Sequence, residues 1–560
     1  MRARKIYYGD FETTTYDEET ESVEVYLWVV LRKKQIFKGF NIESFIDTIR
    51  DFNKAIIYFH NLKFDFSYIQ WYLQKNNIKY EMLEKNGNIY SVKFFNIELR
   101  DSLNFMPITL KQVGENYCQK YKKTSIDYNV ERGHKATEEE IEYCINDCKV
   151  LEEGLNNYLT TLEDVIEESG ALNSVLKVRK KMTNSGVAFE VFKEMSDYEK
   201  LCPQNTPKHY EFIKKAYRGG YVYSKPCGIQ EDVMMIDCNS MYPYIYSFID
   251  LPYGREHRED NLTELRKHKF FIVKLLINYE LKEGYLPIIS DSFGLTNQHY
   301  KESSNNVYEE IVVCNYDFDL ITSYYVCDYK IVWGFWYETK ANFFKEYADT
   351  FINFKNQYKG VKRAVSKVLL NSPYGKTAMN GFVEKKSYFL DEDDIIKSMV
   401  SEWSIDEKMF NYIEIAIAIT GGARYYLLST AEQIGFENVL YMDTDSIKFK
   451  RVPIPFELDD NKLGAWKNEG LVALFKTIAP KKYVYWGDIS QGFQDNTIHY
   501  TCAGFSKKSL TKALKHNLKV KRGRAIYLMK KFDKGLKIEC LQSKVVKGGR
   551  ALLPILKEIK

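Results

Sequence analysis

Val439-Leu440-Tyr441-Met442-Asp443-Thr444-Asp445-Ser446-Ile447 reads as an apolar strand, a tight turn with two carboxylates, and the start of a returning strand. Earlier in the chain, Val233-Met234-Met235-Ile236-Asp237 is another apolar strand ending in an acid, followed by Cys238-Asn239-Ser240-Met241-Tyr242-Pro243. Aspartates at the ends of two adjacent strands can hold two divalent cations around a triphosphate, the arrangement for in-line nucleotidyl transfer. Asp237 and Asp445 are the expected cation ligands, with Asp443 nearby but outside the coordination sphere. Strands and helices alternate from about residue 220 to about 510, which makes the class mixed, α/β or α+β.

Between the two acid-tipped strands, Lys355, Lys359, Arg363 and Lys367 recur every four residues and lead to Asn371-Ser372-Pro373-Tyr374-Gly375. On one helix these positions share a face, so the spacing predicts a row of donors for a triphosphate, with Gly360 interrupting its first turn. A solvated basic face would look the same in isolation. Its place between the two carboxylate strands favours the phosphate reading.

A separate set of acids precedes these. Asp10 and Glu12 end the strand that begins at Lys5, and i, i+2 spacing puts both carboxylates on one face, about 6–7 Å apart at the backbone. Asp65 follows the strand Ala55 to Phe59, in His60-Asn61-Leu62-Lys63-Phe64-Asp65. Thr137 opens a helix with Glu140 completing a capping box, and Ile141, Cys144, Ile145, Cys148, Leu151 and Leu155 keep helical spacing. Asp147 lies on this helix, with Tyr143 one turn earlier on the same face. Any of these acids alone would be an ordinary surface group among the 76 Asp and Glu of the chain. Together, four acids on separate elements suit two Mg²⁺ or Mn²⁺ ions ~3.5–4 Å apart, one activating water and one stabilising a leaving 3′-oxygen. A tyrosine hydroxyl could orient the water. Cys144 and Cys148, without nearby histidines, are expected to pack inside the helix interface.

The chain has 560 residues, 45% hydrophobic and 28% charged, enough for several compact units and against general disorder. No apolar run approaches the ~18 residues of a membrane span, and acids follow the basic start too soon for a signal peptide. Ten scattered cysteines fit a reducing, cytoplasmic setting. The net charge of +4 hides 17 Lys and Arg against three acids from residue 501 on, a local +14 on a body of −10. Its interleaved apolar stretches point to a folded basic segment facing a polyanion.

Asp237 to Pro243, Lys367 to Gly375 and Tyr441 to Ser446 resemble motifs A, B and C of family B DNA polymerases, in the right order. Asp10 to Thr15, His60 to Asp65 and Tyr143 to Asp147 resemble the three exonuclease motifs of that family. Tyr217-Arg218-Gly219-Gly220 resembles the link between the exonuclease and polymerase parts, and Lys481-Lys482-Tyr483 the primer-end motif. The resemblance implies a ribonuclease-H-like 3′-5′ exonuclease domain (1–175) followed by a right-hand polymerase domain (176–560) with two insertions. Palm is expected at about 176–282 and 411–512, the first insertion at about 283–341, fingers at about 342–376, the second insertion at about 377–410, and thumb from about 513.

The insertions match those of protein-primed DNA polymerases, which start synthesis on a hydroxyl of a terminal protein. That subfamily implies strand displacement and partners comprising primer-template DNA, dNTPs, the terminal protein and a single-stranded DNA-binding protein, acting on a monomer with two divalent ions, Mg²⁺ or Mn²⁺, per site. By resemblance, Tyr242 excludes a 2′-OH, and Lys355, Arg363, Lys367, Asn371 and Tyr374 line the nucleotide site. Thr420, Arg424, Tyr217, Gly219, Gly220, Lys481 and Tyr483 contact template and primer. Thr13, Asn61, Phe64, Ser102, Leu103 and Tyr128 hold a single-stranded 3′ end, and Lys123 is an auxiliary catalytic lysine. Two departures stand out: Pro373 where leucine is usual, and Arg363 where lysine is common. A polymerase primed only by nucleic acid, a nuclease-only repair enzyme and a non-catalytic single-strand binder are the alternatives.

Overall fold

The computed structural model describes residues 4–85, 87–290, 300–489 and 495–560. The start of the basic N-terminal run and residues 291–299 of the first expected insertion lie outside the described residues.

The N-terminal part is built on a seven-stranded mixed sheet. Its central strand, Ala55–Phe59, pairs parallel on one side with Ile97–Asp101 and on the other with Lys5–Thr13, which is in turn antiparallel to Val25–Arg32. Helix Glu138–Glu168 lies across Lys5–Thr13 and Val25–Arg32. The expected capping box is present: Thr137 accepts from the Glu140 N–H, and the Glu140 carboxylate takes the Thr137 N–H. The buried stripe Ile141, Cys144, Cys148, Leu151 and Leu155 faces the sheet. The thiols donate to backbone carbonyls, Cys144 to Asp10 and Cys148 to Val29, so both cysteines serve packing as expected.

An eight-stranded sheet carries the second group of acids. Gln230–Cys238 sits between Ser446–Lys450 and Trp466–Ala479, and Val439–Asp443 lies beyond Ser446–Lys450. Leu251–Arg258 and Phe271–Leu281, within the segment expected as palm, lie outside this sheet. They pair with Tyr325–Lys340 and Glu309–Cys314 in a separate four-stranded sheet. Apolar strand patterning fixes that a segment is extended but not which neighbour it pairs with.

The basic end folds, as its apolar interleaving suggested. Leu510, Leu514, Leu528, Met529 and Phe532 share a core with Leu474, Trp486 and Ile498 of the sheet. Two long hairpins project from the body, Phe382–Leu390 with Ile396–Ile405, and Lys537–Val546 with Gly549–Glu558. The N-terminal part touches both. Trp71 Nε1 donates to the Asp394 carbonyl (2.9 Å) and Glu84 meets Lys386 (3.1 Å) and Tyr388 on the first hairpin. On the second, the Tyr68 hydroxyl donates to the Arg550 carbonyl (2.7 Å) and the Val23 N–H to the Lys547 carbonyl (3.1 Å). Lys547 in turn pairs with Asp394 at 3.3 Å, joining hairpin to hairpin.

Candidate active sites

In the N-terminal sheet, Asp10, Glu12, Asp65 and Asp147 converge. Asp65 stands in the first turn of helix Leu62–Lys75, entered through the left-handed Asn61, whose N–H donates to Asp101 Oδ1 at 3.0 Å. Burial, then repulsion from Asp147, pushes the Asp10 carboxyl up to about 8. Glu12 and Asp65 are held well above the carboxylate range, again by burial first and neighbouring acids second. Asp147 is 2% exposed and its Oδ1 has no hydrogen-bond partner. Buried acids that repel one another, with an orphaned oxygen among them, are the donor set hard divalent cations require. The Cys144 sulfur comes within 4.8 Å of the Asp10 and Glu12 oxygens.

Lys123 pairs with Asp147 Oδ2 and donates to the Tyr143 hydroxyl at 2.5 Å, and Tyr128 reaches the same hydroxyl at 2.8 Å. Burial pushes the Tyr143 phenol far up, so it stays a neutral hydroxyl. Thr13 ends the strand beside Tyr68, whose phenol it bonds. Phe64 is half-buried and Tyr128 56% exposed, both available to a base. Leu103 is half-buried, its N–H on Asp101. Ser102 is fully buried, donating to the Phe59 carbonyl (2.9 Å) and meeting His60 Nδ1 (2.9 Å), so its hydroxyl ties the loop together.

In the eight-stranded sheet, Asp237 pairs across Ser446 with Asp443, and the Cys238 N–H donates to the Asp445 carbonyl at 2.7 Å. The turn needs Thr444 at φ 60°, held by its N–H on the Tyr221 carbonyl (2.9 Å). Gly220 is required beside it: a Cβ there would meet Thr444 Oγ1 at 2.6 Å. Burial and the Asp237 charge push Asp445 up to about 6. Asp443 is engaged by both carboxylate oxygens with Lys481 Nζ, at 2.9 and 2.8 Å. Tyr483 lies behind, its ring 4.9 Å from that of Tyr441.

The cationic row is not one helix. Lys345–Gln357 ends at Tyr358, Lys359 is extended, and Gly360 at φ 56° restarts the chain as Gly360–Asn371. Glycine tolerates that turn, and the four-residue spacing across it is lost as a face. Lys359 is exposed. Lys355, Arg363 and Lys367 still meet: burial lowers the Lys355 pKa first, and the Lys367 and Arg363 charges lower it further. Lys355 Nζ donates to Ser240 Oγ at 3.2 Å, at the entry of helix Met241–Phe248. Tyr242 and Tyr374 pack ring to ring at 4.4 Å. Pro373 does not bend the helix, which has already closed at Ser372; it caps the short helix Tyr374–Thr377. Asn371 donates to the Lys367 carbonyl at 2.8 Å.

Thr420 and Arg424, expected on DNA, are interior. Thr420 donates to the Ala416 carbonyl (2.8 Å) of its own helix, Ile413–Ile434. Arg424 clamps Asp317 with bonds of 2.9 and 2.6 Å and donates to the carbonyls of Arg218 (2.7 Å) and Gly219 (2.8 Å). A guanidinium is the fork for such a carboxylate, and these bonds engage four of its five N–H donors. Tyr217, in the same linker, is largely buried beside Tyr374. Lys467, facing Asp237 at 3.3 Å and Glu469 at 2.5 Å, and the buried Lys448 escaped the sequence reading. Lys448 was recoverable, since it stands two residues beyond Ser446 on the carboxylate face.

Carboxylates at paired strand ends, beside cations from two successive helices, define the centre of a nucleotide-transferring enzyme. The chain belongs to the DNA polymerases of type B, organellar and viral, whose family it matches over residues 46–137 and 129–452. It is similar to the DNA polymerase of Bacillus phage phi29, 27% identical over 566 residues, covering 92% of this chain and 94% of that protein. Another relative is the DNA polymerase of Streptococcus phage Cp-1, 26% identical over 534 residues, 89% and 90% of the two chains. The solved structure of phi29 DNA polymerase with primer-template DNA and incoming nucleotide superposes with a TM-score of 0.85 at 24% identity, over 100% of both chains. The fold is therefore that of a family B polymerase with an exonuclease-type domain and palm, fingers and thumb. Among the described residues no helix is long and apolar enough to cross a membrane.

Proposed function

We propose that this DNA polymerase extends a primer at the Asp237–Asp445 centre, proofreads 3′→5′ at the Asp10–Glu12–Asp65–Asp147 centre, and starts replication of a linear viral or plasmid genome on a terminal protein, with strand displacement. The observation that carries the reading is the pair of separate carboxylate clusters, one largely buried and one half-buried, each with its own lysine, Lys123 on Asp147 and Lys481 on Asp443. Divalent ions, when bound, supply charge neutralisation and a more acidic water or 3′-hydroxyl. Asp237 and Asp445 would hold them in the polymerase part, and Asp10, Glu12, Asp65 and Asp147 in the other.

The chain's own groups do the rest. Lys355, Arg363 and Lys367 bind the triphosphate, and the Tyr242–Tyr374 pair walls the sugar and nascent base pair. Lys481 fixes Asp443 and the primer end. Lys123 and Tyr128 fix the Tyr143 hydroxyl, which orients the attacking water, while Phe64 stacks on the frayed terminal base. The division into the two parts near residue 175, and a grip on the terminal protein by the first insertion, complete the reading.

The test uses a 5′-labelled primer on a longer template with Mg²⁺. The wild-type chain shortens the primer without dNTPs and extends it fully with them. Asp445→Ala abolishes extension and keeps shortening; Asp10→Ala with Asp65→Ala does the reverse. Shortening under both conditions by the wild type overturns the polymerase site. Transfer of a labelled nucleotide to a protein hydroxyl, with no nucleic-acid primer present, tests the priming step.

A further inference from the structure

Lys448 is a buried cation that the chemistry above leaves without a task. It projects from the face of the sheet that carries Asp237 and Asp443, and only 7% of it is exposed. Its ammonium lies 5.1 Å from the ring centre of Tyr441 and 4.9 Å from that of Tyr483, with Ser446 Oγ at 3.4 Å. An ammonium offers three donors, and this set serves it poorly. What holds the charge in place is the field of Asp443, Asp237, Glu469 and Asp445, which opposes the burial that pulls its pKa down to about 8. Packing alone does not account for it, because an aliphatic side chain would fill the same space without a desolvated charge.

The rings it touches lead to the carboxylates. The Tyr441 hydroxyl donates to Asp443 Oδ2 at 3.2 Å and accepts the Lys481 N–H at 3.0 Å. Tyr483 packs on Tyr441. Lys448 is therefore a cation under the aromatic pair that orients Asp443 and the primer-end lysine. We propose that Lys448 is a positioning residue of the polymerase centre, a built-in monovalent charge that sets the Tyr441–Tyr483 pair and weakens divalent-cation binding by Asp237 and Asp445. The inference rests on the reading of those two aspartates as cation ligands.

The experiment uses the full-length chain carrying Asp10→Ala and Asp65→Ala, which disables the other cluster, and follows free Mn²⁺ by electron paramagnetic resonance without nucleotide. Asp445→Ala comes first, and a loss of bound Mn²⁺ establishes the ligand reading; no loss overturns that reading. With the loss in hand, Lys448→Met is expected to tighten Mn²⁺ binding roughly tenfold, as removal of one nearby like charge does in a partly buried site. Lys448→Arg, keeping the charge, stays close to the parent. Unchanged Mn²⁺ affinity in Lys448→Met, or weaker binding in both Lys448 variants, overturns the proposal and leaves a packing lysine. Lys448→Gln, polar and of similar reach, gives the same readout should the methionine variant not fold.

Discussion

Replacing Arg424 by methionine separates an interior clamp from a DNA contact. Arg424 is 6% exposed and Asp317 5%, and the guanidinium supplies two bonds to the carboxylate and two to the carbonyls of Arg218 and Gly219. Methionine keeps the stem and strands a buried carboxylate, which costs about 3–5 kcal/mol. Two unpaired carbonyls add about 1 kcal/mol or more each, and the terms overlap. Taking about 4 kcal/mol and a urea slope of about 3 kcal/mol per molar, the midpoint for the unit holding this helix falls by about 1 M. Urea unfolding followed by tryptophan fluorescence reads this directly. Asp317→Asn added to Arg424→Met should recover part of the loss, because the stranded charge is gone. The carboxyl of Asp317 is held below its usual range by Arg424 against the effect of burial, so its contribution is present above the unfolded value and lost only in acid. A midpoint within about 0.2 M of wild type, together with a large loss of DNA affinity, would refute the clamp and restore a surface contact.

Three further outcomes follow from the sites. Asp445 near 6 and Asp10 near 8 lie above the unfolded value of roughly 4. Without cations their stabilising contribution is therefore present in acid and lost as pH rises through about 6 and about 8, and Mg²⁺ should raise Tm more at about pH 8.5 than at about pH 5.5. Lys123→Met removes the charge that lowers the Asp147 pKa, so the acid limb of the pH–rate profile for the proposed primer shortening should move to higher pH, with a rate loss of about tenfold or more. Gly220→Ala drives a methyl into Thr444, and primer extension should fall by at least about tenfold while primer shortening is kept.

The carboxylates were legible because strand ends, i, i+2 spacing and a capped helix each leave a local signature. Asp10, Glu12, Asp147 and Asp445 gather where those signatures place them. The fold class was legible for the same reason, and through the motif order. What escaped depends on long-range pairing or burial. No local pattern says that Leu251–Arg258 joins Tyr325–Lys340, or that Arg424 turns inward to a partner about a hundred residues away. The cationic row breaks at Gly360, the residue the sequence marked as its interruption: positive φ there resets the helix, and tertiary packing rather than a shared helical face brings Lys355 to Arg363 and Lys367.

The contacts that tie the N-terminal part to both hairpins make it a keystone. Val23, Tyr68, Trp71 and Glu84 brace segments encoded at the middle and the very end of the chain, and Lys547 with Asp394 closes the circuit. Cutting the chain near residue 175 would strip both hairpins of their abutment along with the nuclease-type sheet. Removing the proposed nuclease centre by deletion and disabling it by point substitution are thus different operations. The first dismantles a frame that spans the whole polypeptide; the second leaves it standing.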